Sequence, residues 1–463
     1  MQGATVTELD TSALEHVRGE VIRPGDDRYD EARAIHNAGT DRHPALIMRC
    51  RDVADVIAVV DLAQSSGLPL AVRSGGHNPA GFGTVDDGIV LDLSSMRGIK
   101  VDPAARTAAV QTGCTWGDVD HATHAFGLAA PGGVVSTTGV GGLTLGGGTG
   151  HLTRSCGLTI DNLLEADVVL ADGTFVTANA EQNEDLFWAL RGGGGNFGVV
   201  TSLTLRLHPV DTVVAGPMLW SLDRAAEALR MYEQLLAGAP DELTGVFAFL
   251  VVPPGPPFPE DLHLKTVCGI VWCYTGPPEG AEEVLAPARA VGPPLFEIVG
   301  PMPHPVLQSM FDGIAGPGMH NYWRGDFLRE LTDEAIAKHV EYGSQVPTVF
   351  SGVHLYPADG VAGRIAPDAT AWNYREARWA EVIFAAEPAP APSFDRLKDW
   401  VVDSWDLLHP FSLGGGYVNF LVDEGQDRIQ ASYRDNYERL AQIKKKYDPA
   451  NLFQLNQNIQ PAA

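Results

Sequence analysis

Residues 71–78 read Ala71-Val72-Arg73-Ser74-Gly75-Gly76-His77-Asn78, followed by Pro79. The apolar run Leu68 to Val72 has strand character and delivers the chain straight into the glycine pair. A glycine turn at the C-terminal end of a strand is a usual place for a ligand phosphate. Pro79 biases the residue before it away from helical geometry. The turn therefore does not open a helix, as the doubly wound dinucleotide fold requires. No Gly-x-x-x-x-Gly-Lys-Ser/Thr occurs anywhere in the chain, which argues against a P-loop enzyme.

Upstream, Asp52 is a good N-cap, Val53, Val56, Ile57 and Val60 share one helical face, and Gly67 ends the turn, which predicts a helix between 52 and 67. Downstream, Ile89 to Leu93 and Thr107 to Gln111 are strand-like, and Asp118 to Phe126 is a short helix closed by Gly127. Residues 166–178 form a hairpin candidate around Ala171-Asp172-Gly173. Asn183 is placed to cap a helix carrying Leu186, Phe187 and Leu190 inward, and strand patterning resumes from Phe197 to Leu207. This first region is α+β.

Further glycines cluster at Gly139, Gly141-Gly142, Gly146-Gly147-Gly148 and Gly192 to Gly195. Glycine serves where a backbone takes positive φ or approaches a ligand too closely for a Cβ. Successive backbone N–H groups in such loops form anion nests that suit a pyrophosphate. Val140, Leu143 and Leu145 mark residues 139–148 as a packed loop rather than a flexible one.

After Pro209 the chain turns proline-rich at 253–259, 277–278 and 390–392. Strand patterns at Gly245 to Val252, Lys265 to Tyr274 and Val349 to Leu355 alternate with helices at Ser221 to Leu236, Thr332 to Tyr342 and Ser393 to Leu407. A second, antiparallel sheet with helices is expected. Asp427 to Tyr447 reads as one long polar-faced helix stopped by Asp448-Pro449, with Lys444-Lys445-Lys446 as a solvated end favourable to the helix dipole.

The 463 residues exceed one ordinary core and imply two domains or a large insertion. A formal charge of −26 makes nucleic acid a poor partner. The N-terminus lacks a basic start and apolar run, and no apolar stretch approaches the ~20 residues needed to cross a bilayer, so a cytoplasmic protein without a membrane partner is expected. The cysteines at 50, 114, 156, 268 and 273 form no Cys-x-x-Cys pair and are expected to be reduced and mostly buried. His121 and His124 have helical spacing but no specified carboxylate or cysteine partner, so no metal is expected.

The chain resembles the FAD-linked oxidases of the vanillyl-alcohol oxidase superfamily, which carry the PCMH-type FAD-binding domain, and within it the berberine bridge enzyme-like branch. The resemblance rests on residues 71–77, Pro131-Gly132, Gly139-Val140-Gly141-Gly142 with residues 146–150, residues 157–162, residues 185–198, and Tyr447-Asp448-Pro449 with Asn451-Leu452-Phe453. It implies an α+β fold: an FAD-binding part over residues 1–206, an inserted substrate domain on an antiparallel sheet over 207–410, and a C-terminal segment over 411–463 that completes the FAD-binding domain. Carried onto this chain, the cofactor-binding positions are Arg73, Ser74, Gly75, Gly76, His77, Asn78, Pro131, Gly132, Thr138, Gly139, Gly141, Gly142, Gly146, Asp161, Gly198, Val199 and Asn456.

The resemblance further implies a covalent bond from the His77 ring to the flavin 8α-methyl. The cysteine that many relatives use for a second bond is replaced by Val135, so one tether is expected. Thr138 stands at a position that gates oxygen in relatives, and its small side chain fits an oxidase making hydrogen peroxide. A dehydrogenase with another acceptor is the alternative. In Tyr417-Val418-Asn419-Phe420 the first tyrosine matches the family and is the catalytic candidate. An unperturbed phenol has a pKa of about 10 and needs help to act as a base at neutral pH. His320, Tyr322, Trp323, His354, Tyr374, Trp379 and Glu381 are the candidates for the substrate side, suited to a sugar ring or a polycyclic metabolite. Relatives often read Phe-Pro-His-Arg where this chain has Trp372-Asn373-Tyr374-Arg375, which weakens transfer of substrate identity. The expected reaction takes a hydride from a CH–OH group. Oxidation at CH–NH, oxidative cyclisation, and a non-catalytic flavin-binding role are the competing readings.

Overall fold

The strand that feeds the 71–78 turn is Leu70–Arg73, and it pairs in parallel with Ile89–Asp92 at the edge of a four-stranded sheet completed by Leu46–Arg49 and Glu20–Ile22. This computed structural model describes residues 14–314 and 316–463, so the N-terminal stretch read above for a leader lies outside the described residues. Between Leu46–Arg49 and Leu70–Arg73 runs the helix Val53–Ser66. Asp52 caps it by accepting from the N–H groups of Ala54 and Asp55, and Gly67 ends it at φ 67°. The two strands run parallel on either side of Ile89–Asp92, and such an arrangement needs a crossover. The crossover fixes where the glycine turn emerges.

A second sheet is antiparallel, in the order Ile99–Asp102, Thr107–Gln111, Val199–Arg206, Leu163–Val169, Phe175–Asn179. The third has eight antiparallel strands. Its path runs Phe296–Glu297, Thr212–Trp220, Thr266–Tyr274, Leu243–Val251, Gly352–Pro357, Trp379–Pro388, Met319–Leu328, with Gly300–Pro303 also pairing to Thr212–Trp220. All its strands come from residues 212–388. Helices pack on one face of this sheet, where Leu229, Tyr232, Phe249, Trp272, Trp379 and Val401 share a buried core. The α+β class and the inserted antiparallel sheet are as expected. Among the described residues no helix is long and apolar enough to cross a membrane, and all five cysteines are free.

Four local expectations are corrected. Residues 139–148 are not a loop throughout, because Val140–Gly146 is a short helix entered from Gly139. Asn183 precedes its helix in a left-handed conformation, and its side-chain amide donates to the Thr177 carbonyl instead of capping. The C-terminal helix is two helices, Gln426–Tyr433 and Asn436–Tyr447, broken where Arg434 takes φ 46° and lays its guanidinium 3.6 Å from the centroid of the Tyr374 ring. Lys444 is not solvated. It is fully buried and donates to Asp448 Oδ2 (2.6 Å) and to the carbonyls of Asn196 (2.7 Å) and Phe453 (3.0 Å), which clamps the last helix to the Gly192–Asn196 loop.

In the helix Trp116–His124, Asp120 is buried with neither carboxylate oxygen hydrogen-bonded. Burial, reinforced by the Asp312 carboxylate, pushes its pKa up to about 8. His304, 3.9 Å away, is itself pushed down to about 4 by burial, so the two meet as neutral groups near pH 7. An acid whose folded pKa exceeds its unfolded value of about 3.9 takes up a proton on folding. Stability therefore falls as pH rises through the window from the unfolded value to about 8. Asp120→Asn abolishes this titration. Its melting-temperature advantage over the parent is expected to grow between pH 4 and pH 8, and an equal offset at both pH values would show that Asp120 ionises normally.

Candidate active site

The turn at Gly75 and the entry to the Val140–Gly146 helix touch backbone to backbone. A Cβ on Gly75 would lie 2.4 Å from the Gly139 nitrogen, and one on Gly139 would lie 2.4 Å from the Gly75 nitrogen. Neither backbone can yield, so both positions require glycine. By contrast, a Cβ on Gly142 or Gly195 would meet nothing within 4 Å, because both glycines face a cavity of about 700 Å³. This cavity runs from the glycine loops to the face of the eight-stranded sheet opposite that core. The first turn of the helix after Gly139 contributes N–H groups that lack an i−4 partner.

Of the expected cofactor positions, Arg73, Ser74, Gly75, Gly76, His77, Asn78, Thr138, Gly139, Gly141, Gly142, Gly198 and Asn456 line this cavity. Arg73 does so with its charge already committed: it donates to Asp92 Oδ2 (2.7 Å) and to the Ala32 carbonyl (2.7 Å). Ser74 donates to the Thr112 carbonyl. Pro131, Gly132, Gly146, Asp161 and Val199 do not line the cavity. Pro131 accepts from Thr159, Gly132 lies against the Trp116 ring, and Val199 belongs to the core under the first sheet. Asp161 is held by Arg375 at 2.7 and 2.9 Å in a buried bidentate pair. Gly146 leaves room for the Asn419 side chain, which an added Cβ would meet at 2.2 Å.

His77 stacks on His36 with ring centroids 4.0 Å apart, and its Nε2 is 3.2 Å from Thr137 Oγ1. Burial, with His36 adding, lowers its pKa to about 3 against the opposing bond at Thr137, so the imidazole is neutral. Val135 and Thr138 line the same cavity.

Tyr417 stands between the glycine loops and the sheet. Its hydroxyl oxygen accepts from Asn419 Nδ2 (2.7 Å) and from the Gly148 N–H (2.9 Å). Burial drives its pKa up to about 12, opposed by the bonds from Asn419, Gly148 and Thr149. No cation contributes to that shift among the described residues. These donors take up the oxygen's lone pairs, so the phenol's own hydrogen points away from them.

Strand alternation decides the substrate side, since successive side chains point to opposite faces of a sheet. On Met319–Leu328, Asn321 and Trp323 reach the cavity. His320 and Tyr322 do not, and they lie against Phe394 and Lys398 of the helix Phe394–Leu408. On Trp379–Pro388, Val382 and Phe384 line the cavity. Trp379 donates to Glu233 on the helix-covered face, and Glu381 is buried against His339 Nε2 at 2.8 Å. Tyr374 stacks on Phe327 and donates to the Ala431 carbonyl. Of the seven substrate candidates only Trp323 and His354 line the cavity. Tyr356, Phe384, Phe420 and Phe311 were missed as candidates. His354 and Tyr356, two apart on one strand, could have been paired from the period of two.

The cavity suits a flavin dinucleotide on three counts. Its glycine end is bare backbone, the side-chain oxygen of Asn456 is buried without a protein partner, and among the described residues no Asp or Glu lines the wall to oppose a pyrophosphate. Residues 44–179 match the FAD binding domain family, and residues 416–460 match the family described as berberine and berberine like. An FAD-linked oxidoreductase of Dictyostelium discoideum is 32% identical over 99% of this chain and 98% of its own. The (R)-6-hydroxynicotine oxidase of Paenarthrobacter nicotinovorans is 31% identical over 96% of this chain and 97% of its own. The crystal structure of 6-hydroxy-D-nicotine oxidase from Arthrobacter nicotinovorans matches with a TM-score of 0.86 at 27% identity, over the full length of both chains.

Fold and cavity thus define an FAD-dependent oxidoreductase with the PCMH-type binding domain. The chain belongs to the berberine bridge enzyme-like branch of the FAD-linked oxidoreductases. Gly75→Ala is expected to purify with most of its flavin absorbance lost, because the added methyl pushes the two loops apart; full flavin content in that variant would show that the loop contact does not shape the cofactor site.

Proposed function

We propose that this protein is an oxidase that takes a hydride from a CH–OH or CH–NH carbon of a small organic molecule and passes the electrons to O2, with FAD tethered through His77 alone. The observation that carries this reading is the position of Tyr417, whose hydroxyl lies at the junction of the glycine loops and the sheet. Bound FAD supplies the two-electron acceptor. For an alcohol the overall change converts one alcohol and one dioxygen into one carbonyl compound and one hydrogen peroxide: the carbon loses a hydride, the hydroxyl loses a proton, and oxygen gains both electrons and both hydrogens.

The chain's own residues supply the rest. Tyr417 receives the hydroxyl proton when it is ionised, and the N–H groups of Asn419, Gly148 and Thr149 converge on its oxygen in the manner of an oxyanion hole. With no cation among the described residues lowering its pKa, the phenol is protonated near pH 7. Thr138 puts only a small side chain on the cavity wall, which supports oxygen as acceptor, as does the oxidase named among its relatives. His77 is neutral, so a ring nitrogen lone pair is available for a covalent bond. Val135 has no thiol to make a second one.

Two outcomes test this. Acid-precipitated protein is expected to stay yellow, with the flavin mass on the tryptic peptide containing His77, whereas free FAD in the supernatant rules out the tether. With a substrate found by peroxide release, Tyr417→Phe is expected to slow anaerobic flavin reduction about a hundredfold or more with little change in substrate binding. The parent's reduction rate should also rise with pH from neutrality toward the raised phenol pKa, a dependence lost in the variant. An unchanged rate in Tyr417→Phe removes it from the mechanism.

A further inference from the structure

The half of the cavity beyond Tyr417 is walled by the cavity-side face of the eight-stranded sheet and the segments that border it. Leu219, Leu250, Val271, Met302, Met310 and Phe311 form much of this wall. Trp323, Phe384 and Phe420 add an aromatic corner, with Trp323 edge-on to both phenylalanines at 6.4 and 6.1 Å. Among the described residues no Asp, Glu or Lys lines any part of the cavity, and the one Arg that does, Arg73, is engaged by Asp92. On this apolar half, away from the backbone N–H groups of the glycine loops, an ionised ligand group would leave water without gaining a counter-charge. An oligosaccharide would bury many hydroxyls against carbon, and each one left unpaired opposes binding.

Polar groups on this wall are few, and the Ser351 hydroxyl among them is hydrogen-bonded to Thr348 at 2.8 Å. Asn321 is tied down, its backbone bonded both ways to the Asn37 side chain and its own amide donating to the Met319 carbonyl. His354 and Tyr356 are different. Neighbours on one face of the strand Gly352–Pro357, they hydrogen-bond to one another, with Nδ1 and the phenol oxygen 3.1 Å apart. That bond leaves His354 Nε2 for a ligand, and the His354 ring stands edge-on to Phe384 at 4.8 Å. We infer that the substrate is an uncharged, largely apolar ring system, and that the His354–Tyr356 pair selects it by hydrogen-bonding a single oxygen function on those rings. This rests on the oxidase reading above. It narrows the choice between sugar and polycycle in favour of the polycycle. Burial lowers the His354 pKa to about 4, so the pair presents a neutral imidazole near pH 7 and offers no charge to an anion.

The test uses the flavin-loaded protein, and its flavin absorbance is recorded first: a protein purified without flavin overturns the oxidase reading itself, whatever the ligand order. With flavin present, 2-naphthol, naphthalene, 2-naphthoate and xylobiose are titrated and the perturbation of the flavin spectrum is read. The expected order puts 2-naphthol at least about tenfold tighter than 2-naphthoate, with xylobiose weaker than either. His354→Phe is expected to weaken 2-naphthol about fivefold to tenfold, the loss of one neutral hydrogen bond, while leaving naphthalene unchanged. His354→Gln, which keeps a hydrogen-bonding group, should recover part of that loss. Xylobiose or 2-naphthoate binding as tightly as 2-naphthol overturns the substrate class. Unchanged 2-naphthol affinity in His354→Phe overturns the selecting role of the pair.

Discussion

Gly75 and Gly139 meet with no room for a side chain on either. Their contact joins the turn after Leu70–Arg73 to the start of the helix Val140–Gly146, and so joins the first sheet to the loops that hang from the second. Gly142, three residues on from the contact, faces open space, as does Gly195 on a loop whose Gly192 and Gly194 N–H groups donate to the Leu145 carbonyl. His77 is carried to the wall two residues after the contact, and Thr138 one residue before it.

The other end depends on a sheet with two different faces. One is sealed by helices over a core that includes Tyr232, Trp272 and Trp379. On the other, Leu307 of the short helix His304–Gln308 packs with Val213, Ala215 and Cys273, and the rest forms much of the cavity wall. A period-two pattern then assigns residues of these strands to the core or to the cavity. Trp323 and Phe384 go to the cavity side, whereas Tyr322, Trp379 and Glu381 go to the helices. Between the two ends, Asn419 and the backbone at Gly148 hold the Tyr417 hydroxyl in place. Bringing glycine loops and sheet together is thus also what assembles the proposed chemistry.

Buried polar ties keep these parts in register. Lys444 fastens the last helix to the carbonyls of Asn196 and Phe453, and Arg375 binds Asp161 across 214 residues of sequence. Such pairs add little net stability relative to apolar packing, but leaving one member alone is costly, which penalises misplaced arrangements of the segments. Asp161 sits in a stretch shared with flavin enzymes, yet its contacts here are structural. Burial also raises the pKa of every cysteine thiol, which disfavours the thiolate form.

Local patterns carried much of this in the sequence. The Asp52 cap and Gly67 stop, the hairpin at 166–178 and the glycine turn at 75–76 depend on neighbours a few residues apart, and those are written in order along the chain. The family and its cofactor were legible because long motifs stood in sequence order. What the chain could not reveal by itself was direction. Whether Tyr322 or Trp323 reaches the cavity depends on which face of the sheet the helices cover, and whether Lys444 is solvated depends on Asn196, 248 residues away. Tertiary packing decided both, because burial belongs to a side chain's surroundings and those assemble only when distant segments meet.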